Sequence, residues 1–461
     1  MAHRSATGRY EIDMTRGAML PKVLIFTVPL ILTGILQLLY NAADTIVVGR
    51  FAGTEALAAV GSTSSMINLL VNLLIGMSVG ASVVIARAFG AGDVKQVRRG
   101  VHTAITLALG GGVVVGIFGA VFARPLLELM GNPEDVIDMA TTYMCIFFLG
   151  MPFNMLYNFG AGILRATGDT RRPLLYLSVA GLINVALNLL LVIVFHMGVS
   201  GVAIATVVSQ LVSSVLTIIC LMRSEGAIHL DPRELRLHRA ELTAMLRVGL
   251  PAGLQGSLFS ISNVLIQSSI NAFGSVVVAG NSAACNLEGF VYTAMNSLYQ
   301  ADQTFASQNY GAGQYSRVRR TLFVCEGVCI TIGLTMGMLF LTFGSTLLSL
   351  YNTDPEVIRY GLLRSSIILP TYFTCGMMDT IVGQLRAIGY SVMPMIVSLT
   401  GACLMRIVWI LTIFQVPEFH TLQVLYASYP ISWVLTFSVH LICYLVVSRR
   451  LPRQDAPLPA A

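Results

Sequence analysis

Twelve apolar runs of bilayer length recur along the 461 residues, at 23–48, 56–86, 101–123, 136–160, 174–196, 199–222, 245–271, 277–307, 321–343, 357–385, 392–415 and 424–447. About 20 residues rising about 1.5 Å each cross a hydrocarbon layer of about 30 Å. Inside lipid the backbone must satisfy its own hydrogen bonds, so such runs read as helices. Charged residues make up only 11% of the chain, against about a quarter in soluble domains, too few to cover a water-facing surface. The expectation is an all-α integral membrane protein of about twelve transmembrane helices, with the lipid bilayer as its solvent.

The segment before the first run carries Arg4, Arg9 and Arg16 but no separate short apolar core and no small-residue cleavage site, so no cleaved signal peptide is expected. Cys145, Cys220, Cys285, Cys325, Cys329, Cys375, Cys403 and Cys443 all fall inside the runs and read as small apolar residues rather than disulfides. Cys325 and Cys329 stand one turn apart, but no histidine lies near them to complete a metal site.

The net charge of +6 is not spread evenly. Lys and Arg gather at the N-terminus, the 87–99 turn, the 165–172 turn, the central 223–247 stretch, 317–320 and the C-terminus, while the intervening loops hold little beyond Arg50 and Arg124. By the positive-inside rule both termini and the central stretch are cytoplasmic and the number of spans is even. The basic excess is thus a topology signal with no contiguous stripe for nucleic acid, and no nucleic-acid partner is expected.

The turn Phe89-Gly90-Ala91-Gly92 followed by Val97-Arg98-Arg99 returns as Tyr310-Gly311-Ala312-Gly313 followed by Val318-Arg319-Arg320, an offset of 221. The same offset relates Leu126-Leu127 to Leu347-Leu348, Val136-Ile137 to Val357-Ile358, Leu164-Arg165-Ala166 to Leu385-Arg386-Ala387, Gly168 to Gly389 and Pro173 to Pro394. Pro29 matches Pro251 once one residue is inserted. Six spans per copy is an even number, so the copies share one orientation: a parallel repeat, two six-helix lobes facing each other across a cavity. The predicted division is a cytoplasmic N-terminal segment 1–22, an N-lobe 23–222 with helices 1–6, a cytoplasmic linker 223–244, a C-lobe 245–447 with helices 7–12, and a cytoplasmic tail 448–461. The linker charges fit a solvated face of a short interfacial helix, or a lipid-binding patch.

A carboxylate at membrane depth is costly unless it meets water or a partner. Five qualify: Asp44, Glu288, Asp302, Glu326 and Asp379. Glu326 beside Arg319 and Arg320, and Asp302 toward the same end, fit ordinary ion-paired or interfacial acids. Asp44 closes Tyr40-Asn41-Ala42-Ala43-Asp44, and Asn184 and Asn188 share a helix face at i, i+4. With Thr206 they offer an oxygen-rich site for a small hard cation; alternatively Asp44 carries a proton, or the asparagines only tie helices together. The second half lacks this set, since Leu265-Ile266, Met405 and Trp409 stand at the corresponding positions. It carries instead Glu288, Asp379, whose partner at the 221 offset is Asn158, and Arg406, the one arginine expected at depth. Arg406 needs a counter-charge from Asp379 or Glu288, or meets the transported molecule directly. Tyr40, Tyr292, Tyr299 and Met295 lie near these acids in sequence. A cavity drawing on Tyr40, Asn41, Asn158, Glu288, Tyr292, Met295, Asp379 and Arg406 would suit bulky organic cations. No His-Glu-x-x-His cluster supports an embedded enzyme.

Together these residues resemble the multidrug and toxic compound extrusion (MATE) family. The resemblance runs roughly from Met19 to Val447. It rests on Pro29, Tyr40-Asn41-Ala42-Ala43-Asp44-Thr45, the paired Gly-Ala-Gly turns, Leu164-Arg165-Ala166-Thr167-Gly168-Asp169, Asn184 with Asn188, and Asn286-Leu287-Glu288-Gly289-Phe290-Val291-Tyr292. It implies the fold of the MATE and MOP superfamily, twelve helices in two lobes that alternate between inward-open and outward-open states. It also implies a monomer in the bacterial cytoplasmic membrane, exporting organic cations or drugs against Na⁺ or H⁺ influx with no further cofactor. Coupling then maps onto Asp44, Asn184, Asn188 and Thr206, the last four also being the Na⁺ ligands if Na⁺ is the ion. Many relatives have a second carboxylate where Asn188 stands, and no acid lies between Glu241 and Glu288, so the chain looks closer to the DinF-like or MepA-like bacterial branches than to NorM. The rival within the superfamily is a flippase for lipid-linked oligosaccharide, which would be expected to place more cationic residues at depth.

Overall fold

The computed structural model describes residues 12–130, 132 and 134–457, with no strand among them. The helices are α1 Met19–Val47, α2 Thr54–Gly90, α3 Val94–Leu129, α4 Glu134–Leu149, α5 Met151–Ala166, α6 Arg171–Asn188, α7 Gly198–Arg223, α8 Arg239–Asn271, α9 Ser275–Gly311, α10 Tyr315–Thr342, α11 Gly344–Ser349, α12 Pro355–Ile368, α13 Tyr372–Ala387, α14 Val392–Ser398, α15 Met405–Leu411 and α16 Leu422–Ser448. Among the described residues eight helices are long and apolar enough to cross a membrane, and α4 with α5 make a ninth span bent by 46°. Three further stretches, α8, α9 and the α12–α13 pair, are helical over a comparable length but more polar, and with them the helical stretches reach twelve.

Two of the expected spans are broken. The run 136–160 divides at Gly150, with Pro152 opening α5, and the run 357–385 divides at the 3-10 turn Leu369–Thr371, with Pro370 inside it. Proline cannot supply the N–H that a continuous helix needs, and the breaks fall at equivalent places in the two halves. Each is packed by glycines of a neighbouring helix. A Cβ on Gly112 would lie 2.6 Å from Pro152 Cα and one on Gly116 2.7 Å from Phe148 O. At the 221 offset, a Cβ on Gly333 would lie 2.7 Å from Phe373 Cβ and one on Gly337 3.0 Å from Leu369 O.

The turns repeat as faithfully. Gly53 and Gly274 have φ of 94° and 97°, Gly92 and Gly313 71° and 69°, Gly168 and Gly389 98° and 107°. Only glycine enters this region without a Cβ clash, so the repeated glycines fix the same chain reversals in both halves.

The chain resolves into two compact units, residues 12–13 with 32–253, and residues 14–31 with 254–457. These boundaries differ from the predicted lobes 23–222 and 245–447. The first helix of each half is shared: α1 up to Ile31 belongs with the second unit, and α8 up to Gly253 with the first. The crossover follows Pro29 and Pro251 by two residues in each case. Within the first unit α8 meets α2 glycine to glycine, since a Cβ on Gly76 would sit 2.1 Å from Gly253 N. Within the second, Phe26 of α1 meets Phe305 of α9 edge to face at 5.7 Å.

Candidate functional site

In the first unit, α1 and α6 both turn into π-helix just beyond their polar residues, α1 at Val48–Ala52 and α6 at Leu189–Val194. Such wide turns are frequent at functional sites because they interrupt the regular backbone ladder. Asp44 lies in the last turn of α1, and Asn188, fully buried, is the last α-helical residue of α6. Asn188 Nδ2 donates to Asp44 Oδ1 and to Asn184 Oδ1, the latter at 3.2 Å. Thr206 Oγ1 on α7 lies 3.5 Å from Asp44 Oδ2 and 3.0 Å from Val202 O. One hydroxyl proton serves one acceptor well, and the bond to Val202 is the better formed. Thr206 Oγ1 therefore donates chiefly to Val202 O and stands at the limit of hydrogen-bond distance from the Asp44 carboxylate. Asn188 Oδ1 is buried without a hydrogen-bond partner. Asp44, Asn184, Asn188 and Thr206 thus form one oxygen-rich cluster with more acceptors than donors, a donor set that fits a proton or a small hard cation.

A glycine lets α1 reach α6. A Cβ on Gly181, one turn before Asn184, would lie 1.7 Å from Tyr40 Cζ, and Tyr40 OH donates to Ser178 O at 3.4 Å. Tyr143 of α4 lies within electrostatic reach of Asp44; nothing in the spacing of residues around it marked it beforehand. Asn41 is exposed. Asn158 donates to Asn154 O at 2.9 Å and to Asn154 Oδ1 at 3.0 Å along α5. No hydrogen bond joins either residue to the Asp44 cluster among the described residues.

The acids and arginines of the second unit are arranged differently from expectation. Glu288 pairs with Arg364, a residue the sequence reading passed over, through Nε–Oε1 at 2.9 Å and Nη2–Oε2 at 2.8 Å. Arg364 also donates to Asn281 Oδ1 at 2.9 Å and lies over the Tyr426 and Tyr429 rings. Arg406 is paired with neither Glu288 nor Asp379. It donates to Ser432 Oγ at 2.8 Å and stacks 4.4 Å from the Tyr429 ring and 5.6 Å from the Trp433 ring. Aromatic faces offset part of the cost of the buried guanidinium. Nor is Arg406 the only deep arginine: Arg364 and Arg386 are buried too, and Arg386 binds Tyr299 OH at 2.7 Å and Gln255 Oε1 at 2.8 Å. Asp379 accepts from Tyr292 OH at 3.4 Å. Met295 lines no open surface, being wholly buried where α9 packs on Gly333 and Gly376.

A profile of the MatE family matches this chain twice, over residues 29–190 and 251–412, each copy beginning at the proline of its first helix. The probable multidrug resistance protein YoeA of Bacillus subtilis (strain 168) is 30% identical over 382 residues, 81% of this chain and 82% of that protein. An FAD transporter of Shewanella oneidensis is 27% identical over 336 residues, covering 71% and 74% of the two chains. Among solved structures, a MOP superfamily transporter from Pyrococcus furiosus superposes with a TM-score of 0.89 at 22% identity, over 96% of this chain and 98% of that one. That likeness shows the same two-lobed helical fold. The doubled profile, the paired glycines and the extent of the relatives agree: this chain belongs to the MatE family of multidrug and toxic compound extrusion proteins, multi-pass membrane transporters and not enzymes.

Proposed function

We propose that this protein is a secondary-active antiporter of the bacterial cytoplasmic membrane, a monomer with both termini cytoplasmic, that exports organic cations or amphipathic drugs against an influx of Na⁺ or H⁺. The observation that carries this reading is the Asp44 cluster, where Asn188 and Thr206 meet one carboxylate and Asn188 Oδ1 is left unpartnered. A cation at Asp44 would neutralise the carboxylate and engage the spare oxygens of Asn184, Asn188 and Thr206. Coupling requires that this ion bind the inward-open and outward-open states unequally. The relatives named for multidrug resistance support a drug cargo.

The test is transport in proteoliposomes, with a Na⁺ gradient and a pH gradient imposed separately and a fluorescent organic cation as cargo. One of the two gradients drives the dye, and Asp44→Asn abolishes that movement while the protein remains folded in the membrane. Undiminished transport by Asp44→Asn removes the cluster from the mechanism. Movement of FAD but of no cationic dye replaces the cargo class with that of the Shewanella relative.

A further inference from the structure

Asp302 on α9 is completely enclosed, and neither of its carboxylate oxygens has a hydrogen-bond partner. Both carboxylate oxygens of Glu326 on α10 are likewise buried and unpartnered. The two acids lie within electrostatic reach of each other, with the weakly donating Cys325 thiol beside Asp302. Of the two arginines expected beside Glu326, Arg319 donates elsewhere, to Leu451 O at 3.3 Å and Pro452 O at 3.1 Å. From α16 the buried Tyr444 places its hydroxyl within reach of Asp302 and beside the fully buried Gln384 side chain of α13. Arg319 lies within electrostatic reach of Tyr444.

The first half shows that packing does not require these side chains. At the 221 offset, Asp302, Glu326 and Gln384 correspond to Ala81, Ile105 and Ile163, all buried in the apolar core of the first unit. The same fold positions are thus filled by hydrocarbon in one half and by two carboxyl groups and a carboxamide in the other. Two ionised carboxylates buried together without a partner carry a penalty of several kcal/mol each. A bound cation removes it.

We infer that Asp302 and Glu326, with Tyr444 and Gln384, form a second monovalent-cation site in the C-terminal unit, holding H⁺ or Na⁺ independently of Asp44. The experiment uses the full-length protein in detergent, in wild-type, Asp44→Asn, Asp302→Asn, Glu326→Gln and Asp44→Asn/Asp302→Asn forms. Infrared difference spectroscopy during a pH titration reads protonated carboxyl groups, and equilibrium binding of radioactive Na⁺ reads the alternative ion. With Asp44→Asn, either a protonated-carboxyl band at neutral pH or one saturable Na⁺ site persists. That signal is lost in the Asp44→Asn/Asp302→Asn form and diminished in Glu326→Gln, which also serves if Asp302→Asn fails to fold. Asp44→Asn protein showing neither signal, or a signal unchanged by both Asp302→Asn and Glu326→Gln, overturns the assignment. Because the readout is binding in a form lacking the Asp44 carboxylate, it stands apart from the transport test of Asp44.

Discussion

Asn188 Nδ2 binds the Asp44 carboxylate, while Oδ1 of the same amide is buried with nothing to accept from. An amide held in this way is a ready ligand on one side and an anchor on the other. Asn188→Ala removes both. A hydrogen bond to a charged group contributes about 1.5–3 kcal/mol, so cation-driven dye transport by Asn188→Ala falls about tenfold to a hundredfold at limiting ion concentration, measured as initial rate against imposed gradient. An unchanged ion dependence would reduce Asn188 to a helix tie.

Tyr40 and Gly181 form a lock between α1 and α6. A methyl group on Gly181 has no room beside the Tyr40 ring, whose Cζ would be 1.7 Å away. Overpacking of this kind costs about 1–3 kcal/mol. Gly181→Ala lowers the thermal midpoint in detergent, and Tyr40→Ala in the same chain restores part of the loss. Equal loss in the single and double variants would mean the contact is not what limits stability.

Glu288 and Arg364 form a closed ion pair inside the second unit. Removing one member strands the other charge in a buried site, at about 3–5 kcal/mol. Glu288→Gln is expected to destabilise the protein sharply, and Glu288→Leu/Arg364→Met to recover most of that stability. A Glu288→Gln protein of normal stability but impaired dye transport would instead place Glu288 in contact with cargo.

The turns leading into α2 and α9 give a test of the duplication itself. Gly53 and Gly274 adopt φ, ψ of 94°, 174° and 97°, 169°, with nothing within 4 Å of a Cβ at either place. The penalty for alanine is then backbone strain alone, about 1–3 kcal/mol in this glycine-only region. Gly53→Ala and Gly274→Ala should lower stability by matching amounts in thermal denaturation. Strongly unequal losses would show that the two turns are not equivalent.

Much of this architecture was legible in the sequence because membrane helices and left-handed turns leave local marks. A charge-free run must be a helix in lipid, and Gly92 and Gly313 stand where only glycine fits. Asp44, Asn184, Asn188 and Thr206 stood out as oxygen carriers in apolar surroundings, and the fold draws them together. What failed depended on packing between distant segments. Arg364 follows Glu356 and Arg359 closely and reads as one more interfacial charge until α12 meets α9. Arg406 called for an acid in sequence, and the fold surrounds it with aromatic faces and Ser432. The sharing of α1 and α8 between units was hidden because it is set by packing against helices distant in sequence. Glu326 beside Arg319 and Arg320, and Asp302 toward the same end, read as interfacial, but the fold encloses Asp302 completely and buries both carboxylate oxygens of the half-buried Glu326.

The most direct test of the coupling role of Asp44 runs the transporter in reverse. Proteoliposomes are loaded with a cationic dye at high concentration, and the movement of radioactive Na⁺ and of protons across the membrane is followed with no ion gradient imposed. The wild-type protein drives one of the two ions opposite to the dye, and Asp44→Asn protein drives neither. Ion counterflow of equal size in the Asp44→Asn protein would contradict the account.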